Sequence, residues 1–381
     1  MSQIRTAELV HTSDAVRIIV GWAAFGALLI LHPFLTPPVP TPTLIVALAA
    51  ILAVIVFCAF GVVKQAELLA HRLGDPYGSL VLTLSIVIIE VVLIAAVMLG
   101  PGEHTTIARD SVMAVSMIIL NLVIGLALLL GGLRRRGMRV NSTGASAYLA
   151  MLIVLSTLAF GLPAVIGEDG AYRPAQSIPV IVLTLGIYAF FLSRQMGAQA
   201  EHFMEADDRP AATASHTQIA RSPITEVVSA HRRELLTRLV VLVLTMVPIV
   251  LLSHDMATLL DDGLSRAGAP VALAGVLIAM IVFLPESITA IRAALGGEAQ
   301  RVSNLCHGAL VSTVGLTIPA VLLIGMATGQ TVVLAETPAD LMMLGVTLVL
   351  SVTTFTAKKV TAMHGATHLV AFAAYAIILF S

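Results

Sequence analysis

Two glutamates stand where carboxylates are costly. Glu90 lies at the centre of Ser79 to Leu99, a run with no other charge, and Glu286 lies in a second apolar stretch in the other half of the chain. A charged group at mid-bilayer depth costs about 3 kcal/mol on insertion scales, so it generally faces a protein-lined cavity and handles ions or protons. An isolated carboxyl in a low dielectric favours its protonated form, whereas a cation held between two carboxylates favours the charged form. Proton and cation then compete for one place. Hard cations such as Ca2+ take roughly six to eight oxygen ligands, more than two glutamates supply. Candidates for the remainder are Ser85, Ser116 and Asn121 in the first half and Ser287, Thr289, Ser312 and Thr313 in the second, with carbonyls freed near Pro285 and Pro319. Hydroxyls in membrane helices mostly bond a preceding carbonyl or pack at helix interfaces, so each of these, taken singly, is expected to be structural.

The elements that position such residues are dictated by composition. With 58% hydrophobic and 11% charged residues and a mean hydropathy of +0.99, the chain is far from globular composition. It reads as an all-α polytopic membrane protein, which excludes nucleic-acid binding and leaves the bilayer as its main surroundings. Runs long enough to span fall at 15–35, 43–70, 78–100, 107–131, 145–166, 177–199, 235–255, 269–294, 301–327, 335–356 and 362–380, about eleven helices. With the N-terminus in the cytoplasm, 18 of the 21 Lys and Arg fall on the cytoplasmic side, leaving Arg109, Arg173 and Arg266 outside. That asymmetry predicts a cytoplasmic N-terminus and a C-terminus on the opposite side. Cys58 and Cys306 lie in apolar runs and read as buried thiols, and the polar N-terminus shows no removable signal peptide.

Residues 200–232 form the only long polar stretch, with five helices before it, once the first is set aside, and five after it. An odd number per half predicts that the second half enters the membrane inverted. Matching features support this: Gly74–Pro76 and Gly268–Pro270 precede the glutamate helices, and Arg109 to Gly131 parallels Arg301 to Gly325. The expected domains are 1–42 (N-terminal segment and first helix), 43–199 (first repeat), 200–232 (polar cytoplasmic linker) and 233–381 (second repeat). Inverted repeats place substrate sites at the midplane, where the two glutamates should converge. Glu201, Glu205, Asp207 and Asp208 form a candidate regulatory acidic patch, although four acids in a loop are more simply solvated. His307 is expected to have a satisfied partner. His364 and His368, at a metal-ligand spacing but without a third ligand, read as packing residues, and Arg134–Arg136 as a topology anchor. No His-Glu-x-x-His occurs, so an intramembrane metalloprotease is excluded, and a channel fits internal repeats less well than a transporter.

The segment GSLVLTLSIVIIEVVLIAAVML, Gly78 to Leu99, resembles the first signature helix of the calcium/proton exchanger family, within the cation/calcium exchanger superfamily. FLPESITAIRAAL, Phe283 to Leu295, resembles the second-half signature, with Glu286, Thr289 and Ala290 in place. QAELLAHRLGDPYG, IGLALLLGG and MHGATHLVAFAAY extend the similarity over most of the chain, nearest to the bacterial calcium (sodium, potassium)/proton antiporter branch. The resemblance implies one N-terminal helix plus two inverted five-helix repeats in the bacterial inner membrane, no resident cofactor, and Glu90 and Glu286 as the shared metal and proton site. It implies Ca2+ export in exchange for protons by alternating access, with Na+ or K+ exchange as the alternative, and leaves a homo-oligomer open. The chain departs from the pattern where Gly-Asn would precede each glutamate: here stand Ile86-Val87 and Val282-Phe283, while Ser287 and Ser312 replace the usual His and Gln. Asn121 does not align with the family's Asn. These losses leave room for a monovalent ion.

Overall fold

The computed structural model describes residues 11–73, 105–135, 137–204, 224–269 and 272–380, together with residues 84, 85, 87, 88, 90, 91, 94, 95 and 98 of the segment that carries Glu90. The described residues of that segment are helical. The other helices are α1 (Thr12–Leu35), α2 (Thr41–Leu73), α3 (Ile107–Arg135), α4 (Ser142–Ile166), α5 (Pro174–Met196), α6 (Ile224–Arg266), α7 (Ala272–Val282), α8 (Leu284–Gly296), α9 (Ala299–Thr328), α10 (Pro338–Phe355) and α11 (Ala362–Leu379). Nine of these, all but α7 and α8, are long and apolar enough among the described residues to cross a membrane. The protein is an all-helical integral membrane protein.

The helices depart in three ways from the runs expected of the sequence. The run at 235–255 is only the middle of α6, which has 43 residues and a kink at His231. Its charged end stays helical because the charges are paired: Glu234 Oε1 accepts from Arg238 Nη2 and from Arg72 Nε of α2, both at 2.9 Å. The run at 269–294 is two helices, since Phe283 leaves helical geometry and Pro285 occupies the first turn of α8, where its missing N–H costs nothing. Third, α3 changes to π-helical geometry over Ile118–Val123, as does α4 over Thr157–Gly161.

The helices pack around two apolar cores. The first joins α1, α2 and α6 through Leu28, Ile51, Ile55, Cys58, Leu242, Ile249 and Leu252. Trp22 Nε1 donates to the Leu244 carbonyl at 3.0 Å. The second, larger core holds all the other helices, with α3 and α9 the most enclosed. Small residues let α11 approach the backbone of α3: a Cβ on Gly365 would overlap the Leu129 nitrogen and lie 2.7 Å from the Gly125 carbonyl. Close backbone contact of this kind is the usual way membrane helices gain packing energy without a hydrophobic drive. At one end of the molecule the loops are tied together, with Val333 N donating to Thr105 O at 2.9 Å and Leu334 N to Gly170 O at 3.0 Å.

Candidate functional site

Glu90 is buried, and its two carboxylate oxygens differ. Oε2 accepts a 2.6 Å hydrogen bond from Thr313 Oγ1 of α9; Oε1 is enclosed, with no hydrogen-bond partner among the described residues. A residue of the first half is thus gripped by a hydroxyl of the second. Thr313 is held in turn by its helix: neighbouring Ser312 Oγ accepts from Tyr188 OH of α5 at 3.0 Å, and Gly315, one turn on, faces the Tyr188 ring.

The break between α7 and α8 places Glu286 in the first turn of α8. There the unpaired backbone N–H groups of the helix start favour negative charge, an arrangement typical of discontinuous helices in transporters. Glu286 Oε2 is enclosed and has no hydrogen-bond partner among the described residues. It borders a cavity of about 10 Å³ lined by Ile119, Val123, Phe283, Ser287, Leu305, Cys306 and Ala309, room for roughly one water-sized particle. The Glu90 and Glu286 carboxyls lie within electrostatic reach of each other.

The other expected ligands divide. Thr313 meets Glu90, and Ser312 lies beside it. Ser116 and Ser287 turn onto their own helices, bonding the Val112 and Phe283 carbonyls at 2.7 Å each. Ser85 is buried and Thr289 half-buried, and neither is free of partners. Asn121 points elsewhere, donating from Nδ2 to Thr347 Oγ1 of α10 at 2.8 Å and facing His368 of α11. His364 bonds Thr361 at the start of α11, whereas His368 bonds Thr354 and Asn121, so the two imidazoles do not share a ligand. His307 Nδ1 bonds Ser303 Oγ at 2.9 Å, with Nε2 unpaired among the described residues. Glu201 is exposed on a short turn, Ala200–Phe203; Glu205, Asp207 and Asp208 lie outside the described residues. Cys58 and Cys306 are buried free thiols. Among the described residues no three His, Cys, Asp or Glu gather as a metal cluster.

Sequence reasoning passed over Tyr188 and the hydroxyls of α10. A signal for the latter existed: Thr347, Ser351 and Thr354 recur at helical spacing, and all three are fully buried. A separate charged group lies where the loops are tied. Arg109 Nε pairs with Asp110 at 2.8 Å and with Glu336 Oε2 at 3.6 Å, while Glu336 Oε1 is buried and unpaired among the described residues. Burial pushes the Glu336 carboxyl up to about 8; Arg109 pulls it down, and Asp340 and Asp110 push it further up.

Known proteins share this sequence and architecture. A putative ionic transporter of Sinorhizobium fredii, y4hA, is 34% identical over 322 residues, 84% of each chain. The sodium-potassium/proton antiporter ChaA of Escherichia coli is 32% identical over 351 residues, 91% of each chain. The solved structure of native YfkE superimposes with a TM-score of 0.66 at 17% identity, covering 96% of this chain and 99% of that one. That of the H+/Ca2+ exchanger CAX gives 0.65 at 13%, covering 96% and 89%; both show a shared fold. The model of the sodium/calcium exchanger protein family matches residues 43–197 and 237–381. The molecule is therefore a membrane cation antiporter and not an enzyme, and the chain belongs to the sodium/calcium exchanger protein family.

Proposed function

We propose that the chain exchanges a cytoplasmic cation for protons by alternating access, with Glu90 and Glu286 as the site that cation and protons occupy in turn. One observation carries this reading: a carboxylate from each half of the chain, each with an enclosed oxygen that is unpaired among the described residues, lies within electrostatic reach of the other beside α9. Deprotonated and facing the cytoplasm, the pair takes a cation; facing outward, it takes protons and releases the cation. The chain is read as one N-terminal helix followed by two inverted five-helix repeats, joined by a cytoplasmic linker whose acidic residues include Glu201. The two stretches matched by the family model support that division. The N-terminus is placed in the cytoplasm on the strength of the Lys and Arg distribution.

A monovalent cation, Na+ or K+, is the first reading of the cargo. Among the expected side-chain oxygens, Thr313 bonds Glu90, whereas Ser116 and Ser287 are committed to their own helices and Asn121 to Thr347. Such a set falls short of the roughly six to eight oxygens that Ca2+ takes. The relative ChaA, by its name a sodium-potassium/proton antiporter, supports the same choice. Ca2+ is the second reading, favoured by the two negative charges that the pair can present.

The test is proton movement in everted membrane vesicles holding an acid interior, after addition of Na+, K+ or Ca2+. Na+ or K+ is expected to dissipate the gradient, Ca2+ less. A response to Ca2+ alone would make calcium the cargo, and no response to any of the three would end the antiport reading.

A further inference from the structure

A buried polar chain that, among the described residues, has no hydrogen bond to either glutamate crosses from α3 to α11. At its centre is Asn121, inside the π-helical turn Ile118–Val123. Its Nδ2 donates to Thr347 Oγ1 at 2.8 Å, and the Thr347 hydroxyl lies 3.7 Å from Met117 Sδ. With the amide N–H so committed, Oδ1 faces His368 Nδ1 at 3.3 Å, and His368 Nε2 lies 3.1 Å from Thr354 Oγ1. The imidazole then donates from Nδ1 and accepts the Thr354 proton at Nε2, the bonding of a neutral ring. The Leu120 carbonyl also faces His368. Asn121, Thr347, Thr354 and His368 are all fully buried.

A π-turn inserts one residue into a helix and leaves carbonyls without their usual partner, and such turns recur at functional sites. Here Asn121 and Leu120 within the turn meet a ring from another helix. Gly365 allows this, because only a glycine there lets α11 lie on the α3 backbone near Gly125, one turn before His368. The same π-turn supplies Ile119 and Val123, two walls of the small cavity beside Glu286. The register of the turn therefore fixes both the Asn121 bonds and the shape of that cavity.

We propose that His368 is a positioning residue for cation binding: by holding Asn121 it keeps the π-turn of α3 in the register that shapes the Glu286 cavity. This rests on the reading of Glu286 as part of the cation site. His368 does not touch the cation. Loosening the turn weakens binding and leaves the turnover of the loaded transporter nearly unchanged. Glutamine, with an amide that both donates and accepts, can replace the imidazole bonds in part.

The experiment measures exchange against cation concentration in proteoliposomes, using whichever of Na+, K+ or Ca2+ the wild type exchanges fastest. It compares His368→Ala, Asn121→Ala, His368→Gln and Thr354→Val, with Glu286→Gln in parallel and the melting temperature of each purified variant recorded. His368→Ala and Asn121→Ala are expected to raise KM about tenfold, the equivalent of one buried hydrogen bond, with turnover within about threefold. His368→Gln should recover most of the affinity, and Thr354→Val should give a smaller rise in KM. An unchanged KM in the alanine variants, or a glutamine variant no better than alanine, overturns the proposal. Should the alanine variants fail to fold, an unchanged KM in Thr354→Val does so. If Glu286→Gln exchanges like wild type, the carboxylate-site reading falls instead; if it is silent while the His368 variants keep wild-type KM, only the positioning role is lost.

Discussion

A carboxylate in hydrocarbon advertises itself, and both glutamates were legible in the sequence because each interrupts an otherwise apolar run. Their ligands were not. Of the seven candidate oxygen donors named from the sequence, Thr313 reaches Glu90, while Ser116 and Ser287 bond their own helices and Asn121 bonds α10 and α11. Which way a hydroxyl turns depends on the neighbour packed against it, and helix spacing alone does not specify that neighbour. Glu336 is expected to make stability depend on pH, and residue spacing could not show this, since its partners Arg109 and Asp110 are distant in the chain. Its folded-state value of about 8 lies above the ordinary carboxylate value. The folded protein therefore holds a proton there that the unfolded chain has lost, and this stabilisation is complete at low pH and disappears as pH rises through about 8. Charged groups facing it are Arg109, Asp110 and Asp340. Thermal unfolding in detergent should show the wild-type melting temperature falling between about pH 4.5 and 8 and levelling off above, and Glu336→Gln, fixed neutral, should remove about half or more of that fall. Parallel curves for the two proteins would show that Glu336 does not set it.

Hydropathy located the helices but not their irregularities. Pro285 could have announced the break at Phe283, because proline suits a helix start. The π-turn in α3 had no such marker: Ile118–Val123 is IILNLV, an ordinary apolar run. It is legible only from what surrounds it, the His368 ring and the close approach of α11. That approach makes a direct prediction for the glycines. A methyl group at Gly365 meets backbone atoms of Leu129 and Gly125, which cannot step aside, whereas one at Gly345 meets nothing within 4 Å. Gly365→Ala should destabilise the detergent-solubilised protein by about 1–3 kcal/mol, the usual cost of overpacking, and Gly345→Ala should leave the melting temperature unchanged. Equal melting temperatures would mean that α3 and α11 pack less closely than described.

Across the whole molecule the two cores describe two bodies, α1, α2 and α6 in one and the remaining helices in the other. Both glutamates sit in or beside the larger body, and α7 and α8, which form the broken helix before and after Phe283, pack against both. Alternating access follows if the smaller body shifts against the larger and exposes the carboxylates first to one side and then to the other. The membrane class and the helix count were legible from composition and run length. The two-body division was not, because it depends on which apolar faces meet, and all the faces are apolar. Membership of the sodium/calcium exchanger protein family agrees with the architecture over both halves. The central claim is that one pair of carboxylates serves both cation and proton. It is tested most directly by cation-driven proton flux in everted vesicles from wild type, Glu90→Gln and Glu286→Gln, each at matched membrane abundance. Loss of coupled flux in both neutral variants is the predicted result, and full coupled exchange in either one would contradict a shared site.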